Sequence, residues 1–113
     1  LQNDMKKQGR PWCIGKAFDE SAPIGPITPA AQAGDVNNAE LYVQVDGKDR
    51  QRSTVAKLIW NVAETIEHLS AAWELQPGDL IYTGTPEGVA AVVSGDTMVG
   101  EVKGLGTLTV KVA

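Results

Sequence analysis

Thr83-Gly84-Thr85-Pro86 is the segment of this sequence with the most chemistry to offer. Two hydroxyls and a glycine that bares its backbone N–H can hold an anionic oxygen. The run before it, Leu80 to Tyr82, is short and apolar. It predicts a buried strand that delivers the turn to a strand end, where sheets commonly place ligand sites. Composition alone favours an ordinary turn. Three further residues could take part in chemistry. Lys16 is a compact cation suited to an anionic substrate, and without context it is a surface lysine. His68, the single histidine, follows Glu64 by four residues on a predicted helix. It could be a general base, but no metal-ligand partner stands at a useful spacing and no H-E-x-x-H pattern is present, so a solvated helix position is expected. Cys13, the single cysteine, excludes an internal disulfide. The only histidine lies far along the chain, so a small, partly buried thiol is expected rather than a nucleophile. One free thiol fits a reducing, cytoplasmic compartment.

Other chemistries are excluded by pattern. Gly84 and Gly88 are not followed by the Lys-Ser/Thr of a phosphate loop, and no G-x-G-x-x-G opens a helix. No Gly-x-Ser-x-Gly elbow is present. The net charge of −4 and the pI of about 4.8 offer no basic face for nucleic acid, and Lys6, Lys7 and Arg10 are too few to make one. No apolar run approaches the roughly 18 residues of a membrane span, and no signal-peptide pattern is seen.

The elements that must position these residues are legible in the periodicity. With 113 residues, 42% hydrophobic and 21% charged, the chain can build one ordinary core. Residues 1–10 predict a short helix stopped by Gly9-Arg10-Pro11, and residues 11–38 a Pro- and Gly-rich loop. Glu40 to Asp46 alternates as a half-buried strand, with Leu41, Val43 and Val45 on one face and Tyr42 and Gln44 on the other. Asp46-Gly47 signals a tight hairpin, with a return strand from Lys48 to Arg52. Ser53 or Thr54 can cap a helix whose stripe is Leu58, Val62, Ile66, Leu69 and Trp73. Trp60 and Trp73 are expected in the core, with packing against a partner as the alternative. Pro77-Gly78-Asp79 is a turn. Ala90–Val93 could be a short strand, and Thr97–Lys103 and Thr107–Val112 alternate as strands joined by Gly104-Leu105-Gly106. The expected class is α+β, a β-rich fold around one main helix.

Seven segments in order carry a resemblance: Leu1-Gln2; Gly9-Arg10-Pro11-Trp12 with Gly15-Lys16-Ala17-Phe18-Asp19; Ala22-Pro23-Ile24-Gly25-Pro26; Val45-Asp46-Gly47 with Arg50-Gln51-Arg52-Ser53; Leu75-Gln76-Pro77-Gly78-Asp79; Tyr82 to Val89; and Gly104-Leu105-Gly106. Together, over essentially the whole chain, they resemble the C-terminal catalytic domain of the fumarylacetoacetate hydrolase family. The wording Gly-Arg-Pro-Trp, Ser-Ala-Pro-Ile-Gly-Pro and Asp-Leu-Ile-Tyr-Thr-Gly-Thr-Pro-Glu-Gly-Val is most similar to members acting on fumarylpyruvate in bacterial gentisate breakdown.

The resemblance implies a mixed β-sheet roll and hydrolytic cleavage of a carbon–carbon bond in a 2,4-dioxo acid, with fumarate and pyruvate as products. It implies Lys16 as the active-site lysine that meets the leaving enolate, and Gln2, Gly84 and Thr85 as substrate contacts. Arg50 and Gln51 are as compatible with a strand and interface pair as with a site role. The resemblance also implies Mg²⁺ or Mn²⁺ held by a Glu-x-Glu pair and an Asp. Those ligands and a water-activating His-Glu dyad belong to chain preceding Leu1, so none of them is expected within residues 1–113. The start, Leu-Gln-Asn-Asp without a Met, reads as the middle of a longer protein, and the chain as the C-terminal part of a catalytic domain. A homodimer is expected, with a small-molecule partner and neither nucleic acid nor membrane. Relatives with the same motifs open three alternatives on one fold: acylpyruvate hydrolase, oxaloacetate decarboxylase and hydroxy-dienedioate isomerase. A fourth alternative, for the chain alone, is a non-catalytic assembly module.

Overall fold

Alternating apolar residues and a Gly-bearing turn build the first hairpin, and in the computed structural model, which describes residues 2–113, they do so almost where the pattern puts them. Strand β1 (Glu40–Val45) and strand β2 (Lys48–Thr54) pair antiparallel, with Val45 opposite Lys48. Asp46 and Gly47 both take positive φ, 49° and 75°, the conformation a two-residue hairpin loop demands. The Asp46 carboxylate accepts from the Thr97 amide at 2.9 Å, and the Asp46 amide donates to the Thr97 carbonyl at 2.9 Å. The hairpin tip is thereby tied to the start of strand β3 (Thr97–Val102). Strand β4 (Gly106–Lys111) returns beside it through the turn at Gly104, so the sheet order is β2-β1-β3-β4 with every pair antiparallel.

Short helices decorate this sheet. Helix α1 (Gln2–Lys7) ends ahead of Gly9, as the sequence predicts; Leu1 lies outside the described residues. Helix α2 (Ala30–Ala33) is a single turn within the long loop. Pro23 to Thr28 runs over the sheet edge: Gly25 lies against the Leu108 side chain, and Thr28 Oγ1 donates to the Leu105 carbonyl at 3.3 Å.

Helix α3 (Val62–Ser70) starts later than predicted. Its cap is Asn61, not Ser53 or Thr54, which close β2. Asn61 Oδ1 accepts from the Glu64 amide at 2.9 Å and Glu64 Oε2 from the Asn61 amide at 2.8 Å, a complete capping box. Leu58 and Trp73 therefore lie outside the helix, the first following a 3₁₀ turn at Val55–Lys57.

Two strand expectations fail. Leu80–Tyr82 and Ala90–Val93 form no ladder. An apolar run becomes a strand only when a neighbour takes its backbone hydrogen bonds, and here the four strands pair with one another. Leu80, Ile81 and Tyr82 are accordingly exposed rather than buried.

Only Ala39 and Val45 are buried among the described residues, at 8% and 4% exposure. The Cα radius of gyration is 15.6 Å, against about 13 Å for a close-packed chain of this length. Among the described residues, one sheet with three short α-helices, the longest of nine residues, offers too little opposing surface to cover the apolar residues. Trp60 and Trp73, expected in the core, are 52% and 64% exposed, and Cys13 is exposed rather than partly buried. Trp60 stacks instead on His68, with ring centroids 4.0 Å apart.

Candidate functional site

A cavity of about 820 Å³ opens beside the sheet. Thr83, Gly84, Thr85 and Pro86 form one wall; β1 and β2 contribute Tyr42 and Gln51, and β3 contributes Glu101. The turn is thus a cavity wall even though no strand delivers it. What delivers it is a set of side-chain hydrogen bonds. Gln51, half-buried on β2, donates from Nε2 to Thr85 Oγ1 at 2.8 Å, to the Pro86 carbonyl at 2.8 Å and to the Glu87 carbonyl at 3.3 Å. Gly88 follows with φ of 102° and lies so close to β2 that a Cβ would meet the Arg50 carbonyl oxygen. At the other end of the segment, the Tyr82 hydroxyl donates to the Ala22 carbonyl at 3.0 Å, joining the turn to the loop that follows Lys16.

Gln2 and Lys16 form a second group. Gly15 packs on the Gln2 backbone, where a Cβ would stand 3.1 Å from Gln2 Cα, and this brings Gln2 beside the Lys16 segment. Lys16 itself is exposed, and its Nζ lies 5.9 Å from the Trp12 ring centre, sharing that ring with Lys6 at 4.8 Å. Neither Gln2 nor Lys16 lines the cavity that holds Gly84 and Thr85. The four residues singled out by sequence therefore fall into two pairs, joined through the Tyr82–Ala22 bond. Arg50 is exposed and contributes its carbonyl to the Gly88 contact. His68 is taken up by the Trp60 stack, away from both pairs.

The cavity also carries polar residues that sequence reasoning did not single out. Tyr42 and Glu101 are Cα partners across β1 and β3, and the phenol donates to Glu101 Oε2 at 2.7 Å. That bond, then burial and the Glu101 charge, push the Tyr42 pKa up. Next to them, Arg52 holds Asp49 through Nε at 2.9 Å and Nη2 at 2.7 Å, and Gln44 Nε2 holds the other carboxylate oxygen at 2.7 Å. The Gln44 bond first, then the Arg52 bonds, lower the Asp49 pKa. The alternation of β1 does mark Tyr42 and Gln44 as neighbours on one face, but a cross-strand partner appears only once strand order is known.

Divalent ions of the Mg²⁺ and Mn²⁺ type need several oxygen ligands converging on one point. Among the described residues no group of three or more His, Cys, Asp or Glu side chains converges in that way. The site as built here does not fit such an ion. It offers instead hydroxyls and amides, a set suited to holding a carboxylate. No helix among the described residues is long and apolar enough to cross a membrane.

The model of the fumarylacetoacetate hydrolase C-terminal family matches residues 1–113. A fumarylpyruvate hydrolase of a Ralstonia species is 46% identical over 112 residues, which is 99% of this chain and 58% of that protein. An oxaloacetate tautomerase of Escherichia coli is 41% identical over 99 residues, 87% of this chain and 45% of that protein. The crystal structure of a fumarylpyruvate hydrolase from Pseudomonas aeruginosa, in complex with Mn²⁺ and pyruvate, superposes with a TM-score of 0.93 at 58% identity, covering 100% of this chain and 48% of that one. The chain spans about half the length of the relatives it matches.

Proposed function

The chain belongs to the fumarylacetoacetate hydrolase family, and from that premise we propose that it supplies the substrate-holding part of a hydrolase that splits fumarylpyruvate into fumarate and pyruvate. What supports this is the Thr83–Pro86 turn on the cavity wall, in a chain whose backbone matches that of a hydrolase solved with pyruvate. The Thr85 hydroxyl and the amides of Gly84 and Thr85 take the carboxylate of the dioxo acid. Gln2, with an amide that can donate to a carbonyl or carboxylate oxygen, orients the other end.

Hydrolysis adds water across one carbon–carbon bond: hydroxide joins the acyl carbon, the bonding pair leaves as the pyruvate enolate, and a proton completes pyruvate. An enolate is a poor leaving group unless positive charge meets its oxygen. Lys16 is the cation assigned to that role. A divalent ion, Mn²⁺ or Mg²⁺, belongs to the whole enzyme, with its carboxylate ligands and the water-activating dyad outside residues 1–113. A homodimer and a cytoplasmic location complete the proposal; the exposed apolar residues leave surface for a subunit contact.

The test is Lys16→Ala in the full-length protein that carries this chain. Turnover of fumarylpyruvate should fall by about two orders of magnitude or more, with the melting temperature held. An unchanged kcat would remove Lys16 from the chemistry. The likeness to an oxaloacetate tautomerase favours oxaloacetate as the second substrate to assay; action on oxaloacetate alone would overturn the fumarylpyruvate assignment.

A further inference from the structure

Gln51 makes three hydrogen bonds from one nitrogen, all of them to the turn 34 to 36 residues further along the chain. Every acceptor is an oxygen: one hydroxyl and two backbone carbonyls. A primary amide nitrogen has two hydrogens, so the longest contact, to Glu87 at 3.3 Å, shares one of them. The Thr85 hydroxyl is the informative partner. Its oxygen accepts from Gln51, and a hydroxyl has one hydrogen of its own. That hydrogen is therefore left to donate elsewhere, and Thr85 and Gln51 both line the cavity.

We propose that Gln51 is a positioning residue that presents Thr85 as a hydrogen-bond donor to a carboxylate in the cavity. This rests on the carboxylate-holding role given to the turn above. Without Gln51 the Thr85 hydroxyl is free to rotate and to spend its hydrogen on the Pro86 or Glu87 carbonyl. With Gln51 in place the Thr85 oxygen is held by the bond it accepts and its own hydrogen is turned away from the Gln51 amide, which leaves it to a carboxylate in the cavity that Thr85 lines.

Two substitutions separate donation from shape. Gln51→Met keeps the length and loses both hydrogens. Gln51→Glu keeps the shape and sets a carboxylate against two carbonyl oxygens. In the full-length protein with Mn²⁺, the dissociation constant of pyruvate and the kcat and KM for fumarylpyruvate are measured for both, for Thr85→Val and for the Gln51→Met/Thr85→Val double variant. Pyruvate affinity and KM are expected to worsen about tenfold in each Gln51 variant, with kcat within threefold of wild type. In the double variant Gln51→Met should add less than twofold to the effect of Thr85→Val, because the hydroxyl it would aim is gone. A Gln51→Met variant that binds pyruvate as wild type does, while Thr85→Val binds weakly, overturns the role of Gln51 and leaves the site assignment standing. Effects that multiply fully in the double variant also overturn it, marking Gln51 as a general support of the fold. If Thr85→Val itself leaves pyruvate binding unchanged, the carboxylate-holding role of the turn fails, and the role of Gln51 with it.

Discussion

Tyr42 and Glu101 stand directly opposite each other on β1 and β3, and the phenol donates to the Glu101 carboxylate at 2.7 Å on the cavity wall. A bond from a neutral phenol to a charged oxygen is short and strong, and it is lost if the phenol ionises. The Tyr42 pKa is raised by that bond first, then by burial and by the Glu101 charge; Arg52, 5.1 Å from the ring centre, acts against them. A raised folded-state pKa means the contribution to stability is whole below the ordinary tyrosine value of about 10 and is lost as pH climbs through the folded value. In a Tyr82→Phe background, which leaves Tyr42 as the one tyrosine of this chain, Glu101→Gln should move the ultraviolet titration of Tyr42 to lower pH. An unmoved midpoint would show that Glu101 does not govern the phenol.

Asp49 titrates in the opposite sense. Gln44, its partner across β1 and β2, and then Arg52 hold its carboxylate and lower its pKa. A lowered folded-state pKa contributes stability above the ordinary carboxylate value of about 4 and loses it as pH falls through the folded value. Asp49 and Arg52 are 46% and 58% exposed, so the effect on stability is small and the titration itself is the better measure. Carbon-detected NMR should show both Gln44→Ala and Arg52→Ala raising the Asp49 midpoint. A midpoint unmoved in Gln44→Ala would show that the amide does not hold the carboxylate.

The four strands were legible because each shows its own period or turn. Asp46-Gly47 announces a hairpin, and Gly104 and Gly106 bracket the second. The placing of β3 beside β1 was not legible, since no local pattern records which edge a distant hairpin takes; with it went the Tyr42–Glu101 pair. The start of α3 was misplaced because Leu58 continues the stripe by spacing, while Asn61 wins by supplying a cap and a reciprocal Glu64. At the site, the Thr83–Pro86 turn stood out by residue type. Gln51 stayed balanced between a strand pair and a site role, because its partners lie 34 to 36 residues away and a glutamine in a strand gives no sign of them.

The capping box at the start of α3 makes a separate test. Asn61 and Glu64 satisfy each other's amides, and α3 has only nine residues, so its first turn is a large share of the helix. Asn61→Ala should cost about 1 kcal/mol, seen as a fall of a few degrees in the melting temperature of the full-length protein. Asn61→Asp should retain most of the stability, since its carboxylate accepts from the same amide. Equal losses in both variants would mean that the side-chain oxygen is not what caps the helix.

Gly88 tests the attachment of the turn to β2. Its φ is 102°, and Gly78 has nearly the same φ, 101°. Left-handed backbone strains any other residue, so alanine at either position carries that cost. The surroundings differ. At Gly78 a Cβ would enter open space, whereas at Gly88 it would collide with the Arg50 carbonyl oxygen and stand 3.1 Å from Gln51 Cγ. Backbone cannot step aside as a flexible side chain can, so the turn itself must lift away from β2 and strain or break the Gln51 bonds to Thr85, Pro86 and Glu87. Gly88→Ala should therefore lower the melting temperature more than Gly78→Ala, by about 1–3 kcal/mol of added strain, and weaken pyruvate binding at least about fivefold. Gly78→Ala should leave pyruvate binding alone. If the two variants match in both measurements, the close approach of Gly88 to Arg50 does not hold the turn in place.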